Sequence, residues 1–110
     1  MTEKDFELLS TLTKATEGGR VEWTPTATDN EFTSSFKGKF NVTIRKTDPG
    51  SFRFEMVDSL GRQLLLVYID NHQSNWQEVE KVSGLFEMAQ RQALAVDAAI
   101  DEIIGEIGGD

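Results

Sequence analysis

Nine apolar residues near the C-terminal end recur on an unbroken 4-3 spacing: Val79, Val82, Phe86, Ala89, Ala93, Val96, Ile100, Ile103 and Ile107. Apolar positions alternating four and three apart define a helical stripe of heptad period. The helix is expected to start near Trp76, because Asn75 followed by Glu78 resembles a capping box. It runs to Ile107, where Gly108-Gly109 ends it. Unbroken, those 32 residues from Trp76 to Ile107 span about 48 Å at 1.5 Å per residue. A domain of this length is roughly 33 Å across. The helix therefore either breaks, at Ser83-Gly84 or near Asp97, or it projects and pairs with the same helix of a second copy.

The other elements follow from shorter patterns. Thr2 caps a first helix running to Glu17, with Asp5 in its first turn, an apolar stripe of Phe6, Leu8, Leu9, Leu12 and Ala15, and a stop at Gly18-Gly19. Val21 and Trp23 alternate with Arg20, Glu22 and Thr24, which predicts a short strand closed by Pro25 with Trp23 in the core. Phe32, Ser34, Phe36, Gly38, Phe40, Val42 and Ile44 share one parity, so a two-residue hairpin at Lys37-Gly38 would throw Phe40 to the wrong face. That favours an odd-length turn around Gly38, or one long strand bent there.

Asp48-Pro49-Gly50 is the next turn. A five-residue loop from Thr47 to Ser51 sets Ile44 opposite Phe54 and Val42 opposite Met56. A four-residue loop over Asp58-Ser59-Leu60-Gly61 sets Phe54 opposite Leu65 and Phe52 opposite Val67. Leu64, Leu66 and Tyr68 then share the outer face, where a sheet with one wet side is normally polar. The predicted fold is α+β, one domain over residues 1–110: an N-terminal helix, an antiparallel β-meander of four to five strands, and a long C-terminal helix packed on the sheet.

Charge changes the picture at one end. The chain carries −8, of which residues 70–110 hold nine acids and two bases. An acidic chain disfavours nucleic acid and anionic membrane as partners, because both are bound by neutralising phosphates. Lys37, Lys39, Arg45, Lys46, Arg53 and Arg62 crowd the sheet region and make its outer face a candidate for nucleic acid or an acidic partner surface, but Glu55 shares that face and no base-stacking aromatic platform accompanies it. The chain has no cysteine, which excludes disulfides and thiolate metal sites and fits a cytoplasmic protein. No secretory signal is visible at the N-terminus, and the longest apolar run, Leu64–Ile69, is too short to span a bilayer.

Little here carries chemistry. His72 is the one histidine and sits in a polar connection over residues 70–76. No phosphate-cradling glycine motif, nucleophile elbow or zinc-binding helix motif is present. Asp97, Asp101, Glu102 and Glu106 gather on the last helix between its apolar positions, where a solvated face belongs. No catalytic residue, metal site or cofactor is expected.

A G-x-V-x-W segment (Gly19, Val21, Trp23), a D-x-x-G turn (Asp58, Gly61) and a V-D-x-A-h-D-x-I helix (Val96, Asp97, Ala99, Ile100, Asp101, Ile103) follow one another along the chain. With these, it resembles small uncharacterised bacterial proteins of helix–β-meander–helix build. The resemblance implies that fold and a bacterial or phage source, and no activity. The function expected is a non-enzymatic protein-interaction module acting as a homodimer, with Leu64, Leu66, Tyr68, Phe86, Val96, Ile100, Ile103 and Ile107 as its interface. Two alternatives stand beside it. One is an acidic inhibitor mimicking nucleic acid through Asp97, Asp101, Glu102 and Glu106; the other is a small-ligand binder with a pocket between sheet and helix.

Overall fold

The computed structural model describes residues 1–72 and 75–108. Three helices, α1 (Glu3–Glu17), α2 (Trp76–Ala93) and α3 (Val96–Gly108), accompany five strands. These are β1 (Thr24–Pro25), β2 (Glu31–Phe36), β3 (Phe40–Asp48), β4 (Ser51–Asp58) and β5 (Gln63–Asp70), forming one antiparallel sheet in the order β1-β2-β3-β4-β5. The α+β architecture is the one the pattern predicts.

α1 starts as expected. The Thr2 hydroxyl accepts from the Asp5 N–H while the Asp5 carboxylate accepts from the Thr2 N–H, a reciprocal cap. Leu9 and Leu12 point into the core. α2 is capped by Asn75, whose side chain accepts from the N–H groups of Gln77 and Glu78. It lays Val82, Leu85, Phe86 and Ala89 across the sheet. The Phe86 ring stands 5.6 Å from both Phe32 and Phe52, tilted against each, the arrangement that suits aromatic quadrupoles. Val42, Ile44, Phe54 and Ile69 complete the buried sheet face.

Val21 and Trp23 are buried as predicted, but they are not strand: pairing begins only at Thr24. Their backbone is held from α2 instead. The Gln92 amide accepts from the Trp23 N–H and donates to the Val21 carbonyl at 2.7 Å. The Trp23 indole N–H donates to Thr16 Oγ at 3.0 Å, and that hydroxyl donates onward to the Leu12 carbonyl. A single glutamine thus supplies what a neighbouring strand otherwise would.

The hairpins separate parity from register. Phe36 pairs with Phe40 across Lys37-Gly38-Lys39, the odd-length turn that parity favours, with Lys37 and Gly38 both at positive φ. Phe40, expected inward, is 39% exposed. Ile44 faces Phe54 and Val42 faces Met56 as predicted, although β3 and β4 extend to Asp48 and Ser51 around a tighter Pro49-Gly50 turn, and a register shift between Lys46 and Asp48 absorbs the difference. In the last hairpin the predicted register is wrong by two residues: Phe54 pairs with Val67 and Phe52 with Ile69. The Asp58 carboxylate explains the shift. It accepts from the N–H groups of Leu60 and Arg62 and from the Arg62 guanidinium, which draws Arg62 into the turn.

The same hairpin contains a bulge. Met56 pairs with Leu65 and Val57 with Gln63, so Leu64 is the extra residue and shares a side with Leu65. It lines a groove with Leu8, Met56 and Leu65 beneath the first half of α1, not the outer face with Leu66 and Tyr68.

The C-terminal helix is continuous through Ser83-Gly84. It breaks at Leu94-Ala95, just before the second expected site, where Ala95 adopts a left-handed φ of 50°. The molecule measures 53 × 35 × 26 Å with a radius of gyration of 15.3 Å, against about 13 Å for a compact chain of this length.

Two measurements check these contacts. Gln92→Ala leaves the Trp23 N–H and Val21 carbonyl without partners and is expected to cost about 2–4 kcal/mol in urea unfolding. Hydrogen bonds from the Arg62 backbone, then from its side chain and the Leu60 N–H, hold the Asp58 carboxyl below its ordinary value of 3.8. Its contribution is therefore complete above that value and is lost as the pH falls through the lower folded value. The stability gap between the protein and Asp58→Asn is expected to narrow on acidification from about pH 5 to pH 3.

Candidate interaction surface

The 4-3 stripe divides at the break. Val82, Phe86 and Ala89 lie in the core, with Val79 and Ala93 half-buried against it. Phe86 therefore does not belong to an interface: at 4% exposure its ring is occupied by Phe32 and Phe52. Past Leu94 the situation reverses. Among the described residues, α3 touches α2 alone and has no buried residue.

Ile100, Ile103, Ile104 and Ile107 are 41%, 58%, 60% and 75% exposed, and Leu94 beside the break is also exposed. Their spacing of i, i+3, i+4, i+7 makes one ridge about 10 Å long on a 13-residue helix. Val96, at the start of the helix, is half-buried. Ile104 is absent from the strict heptad but widens its seam.

The four acids are brought onto this same helix. At 3.6 residues per turn, Asp97 and Asp101 flank one side of the isoleucine ridge and Glu102 and Glu106 the other. Asp97 is paired with Arg91 across the break; α3 itself contains no basic residue. Both rows are exposed.

The outer sheet face is less basic than the sequence suggests. One row across it reads Glu31, Arg45, Arg53, Tyr68, and the next Thr33, Thr43, Glu55, Leu66. Arg53 donates to Glu55 at 2.9 Å, and Gln63 donates to the same carboxylate. Tyr68 first, and Glu55 after it, stabilise the Arg53 guanidinium and raise its pKa. Lys46 pairs with Phe52, on the opposite parity. What remains is a mixed face with Val57 and Leu66 half-buried and Tyr68 66% exposed.

The remaining concavities are open. One of about 430 Å³ lies between α1 and α2, lined by Phe6, Trp76, Lys81 and Gly84 among others. Trp76 stands 71% exposed at the start of α2. His72 is exposed, and its N–H donates to Asp70. The expected 70–76 connection includes residues 73–74, which lie outside the described residues. Among the described residues no cluster of three or more histidine or acidic side chains is placed to hold a metal ion, and no helix is long and apolar enough to cross a membrane.

No protein-family model matches the chain, and no curated protein or solved structure is similar to it at a significant level. The surface is therefore read from its geometry.

The division of the stripe has a direct thermodynamic signature. In dilute solution Ile103→Ser and Ile107→Ser are each expected to change unfolding stability by no more than about 0.5 kcal/mol. Ile44→Ala, at the centre of the sheet, is expected to cost about 2–5 kcal/mol. Chemical denaturation of the three variants checks both.

Proposed function

We propose that this protein is a non-enzymatic interaction module that works as a homodimer, with the α3 ridge and the outer residues of β5, Leu66 and Tyr68, as its contact surface. One observation carries the reading: a 13-residue helix with no buried residue presents four isoleucines to solvent. Fully burying such a side chain contributes about 1.5–3 kcal/mol. An isolated helix of this length is marginal in water, so α3 gains order as well as burial from a partner. The cytoplasmic setting expected from the cysteine-free composition belongs to the same proposal.

A second reading, an acidic inhibitor that mimics nucleic acid, draws support from the two exposed acid rows of α3. The isoleucine ridge between them weighs against it, because a phosphate-like surface needs charge where the ridge places hydrocarbon. The two readings respond to different side chains: self-association depends on the isoleucines and mimicry on the carboxylates.

Sedimentation equilibrium tests the first reading. The full chain is expected to self-associate at tens of micromolar in about 0.15 M salt, where repulsion between chains of net charge −8 is screened. Ile103→Glu with Ile107→Glu is expected to weaken that association at least tenfold, since each change removes more than about 1.4 kcal/mol of apolar burial. A protein that stays monomeric throughout contradicts the reading.

A further inference from the structure

The outer face of the sheet holds one cation that the fold leaves unanswered. Arg45 on β3 and Arg53 on β4 are directly opposed in the register. Like charges so placed repel one another across a strand pair. Arg53 is answered by Glu55, whose carboxylate also accepts from Gln63. Glu31 lies opposite Arg45 on β2, but its carboxylate accepts from the Thr26 hydroxyl at 2.8 Å. Arg45 is left half-buried, with its Nε enclosed and without a hydrogen-bond partner among the described residues. An enclosed N–H in that state costs free energy, and a carboxylate meeting the guanidinium fork removes the cost.

α3 has the opposite surplus. It contains no basic residue, and of its acids Asp97 is paired with Arg91 across the break. At about 100° per residue, Asp101 and Glu106 stand on the two flanks of the isoleucine ridge, each about 110° from its centre, and Glu102 points nearly away from it. A surface that meets the ridge therefore also meets one of these two flanking carboxylates.

We propose that the outer sheet face of one copy receives α3 of a second copy, with Arg45 holding a flanking carboxylate, Asp101 or Glu106. This rests on the homodimer reading above and names how its two surfaces meet. The isoleucine ridge lies on Leu66 and Tyr68 of β5. A helix is about 10 Å across and neighbouring strands stand about 4.8 Å apart, so a helix over β5 carries one flank above β4 and β3, where Arg53 and Arg45 stand. Within its own chain α3 packs on α2 alone among the described residues, and α2 covers the other side of the sheet. A second copy therefore supplies the helix, and exchange about a twofold axis makes the same contact twice.

Sedimentation equilibrium on charge-altered variants of the full chain tests the contact. Arg45→Glu is expected to weaken dimerisation at least about tenfold, because it sets like charges against one another at the contact. Arg45→Met keeps an apolar stem on the sheet and is expected to weaken it in the same direction, which guards against a fold disturbed by the glutamate. Asp101→Lys with Glu106→Lys is expected to weaken the parent dimer even though it lowers the net repulsion between chains. Combined with Arg45→Glu, the same two lysines are expected to restore association to within about threefold of the parent, the coupling that a direct pair shows. Glu102→Lys makes a like change of charge on the far side of the helix and is expected to leave association no weaker.

A parent chain that sediments as a dimer, with Arg45→Met and Arg45→Glu associating as tightly, overturns this contact and leaves the homodimer reading in place. The same holds if the two lysines fail to restore the Arg45→Glu chain. A parent chain that is monomeric removes both.

Discussion

The packing of α2 on the sheet is the interaction on which the rest of the molecule depends. Val82, Leu85 and Ala89 are completely buried, and Phe86 joins the second and fourth strands by lying against Phe32 and Phe52. α1 packs alongside α2, adding Leu9 and Leu12 to the same core. The crossing from α1 to the sheet is secured by α2 as well, through the two hydrogen bonds of Gln92 to Val21 and Trp23. The sheet gives these helices a single apolar face, and the C-terminal sequence continues its apolar stripe beyond that face.

The break follows from this mismatch. Gln92 faces the 21–23 segment in the last turn of α2, and two residues later the chain turns at Leu94-Ala95. Alanine in a left-handed conformation costs about 1–2 kcal/mol. The Ala95 N–H still bonds to the Gln92 carbonyl, and the Ala95 carbonyl accepts from Ala99 to start α3. The stripe is thus cut into a half that completes the core and a half that carries its isoleucines into solvent between two rows of acids. One periodicity first fills the core and then continues beyond it.

Much of this is legible in the sequence, because faces follow parity and parity survives errors of register. The alternation of Phe32 through Ile44 narrows the Gly38 region to an odd-length turn or a bent strand, the first of which forms, and both strands of the Pro49-Gly50 hairpin meet in the predicted pairs. Where side chains replace backbone logic, the reading fails. Asp58 draws Arg62 into its turn and shifts the last hairpin by two residues, and the Leu64 bulge moves a leucine from the outer face to the helix side. The glutamine bracket around Val21 and Trp23 has no periodic signature, so buried alternation there resembles a strand. The heptad stripe also does not reveal where the core ends: Phe86 and Ile100 hold equivalent positions in it, yet one is buried and the other exposed.

Amide hydrogen exchange on the intact protein, followed across protein concentration, tests the division of the stripe most directly. Amides of α2 from Val82 to Ala89 are expected to exchange only with global unfolding at every concentration. Amides of α3 from Ile100 to Ile107 are expected to exchange freely when dilute and to become protected as the concentration rises into the micromolar range. Equal, concentration-independent protection of both segments would contradict it, because α3 would then belong to the core of the single chain.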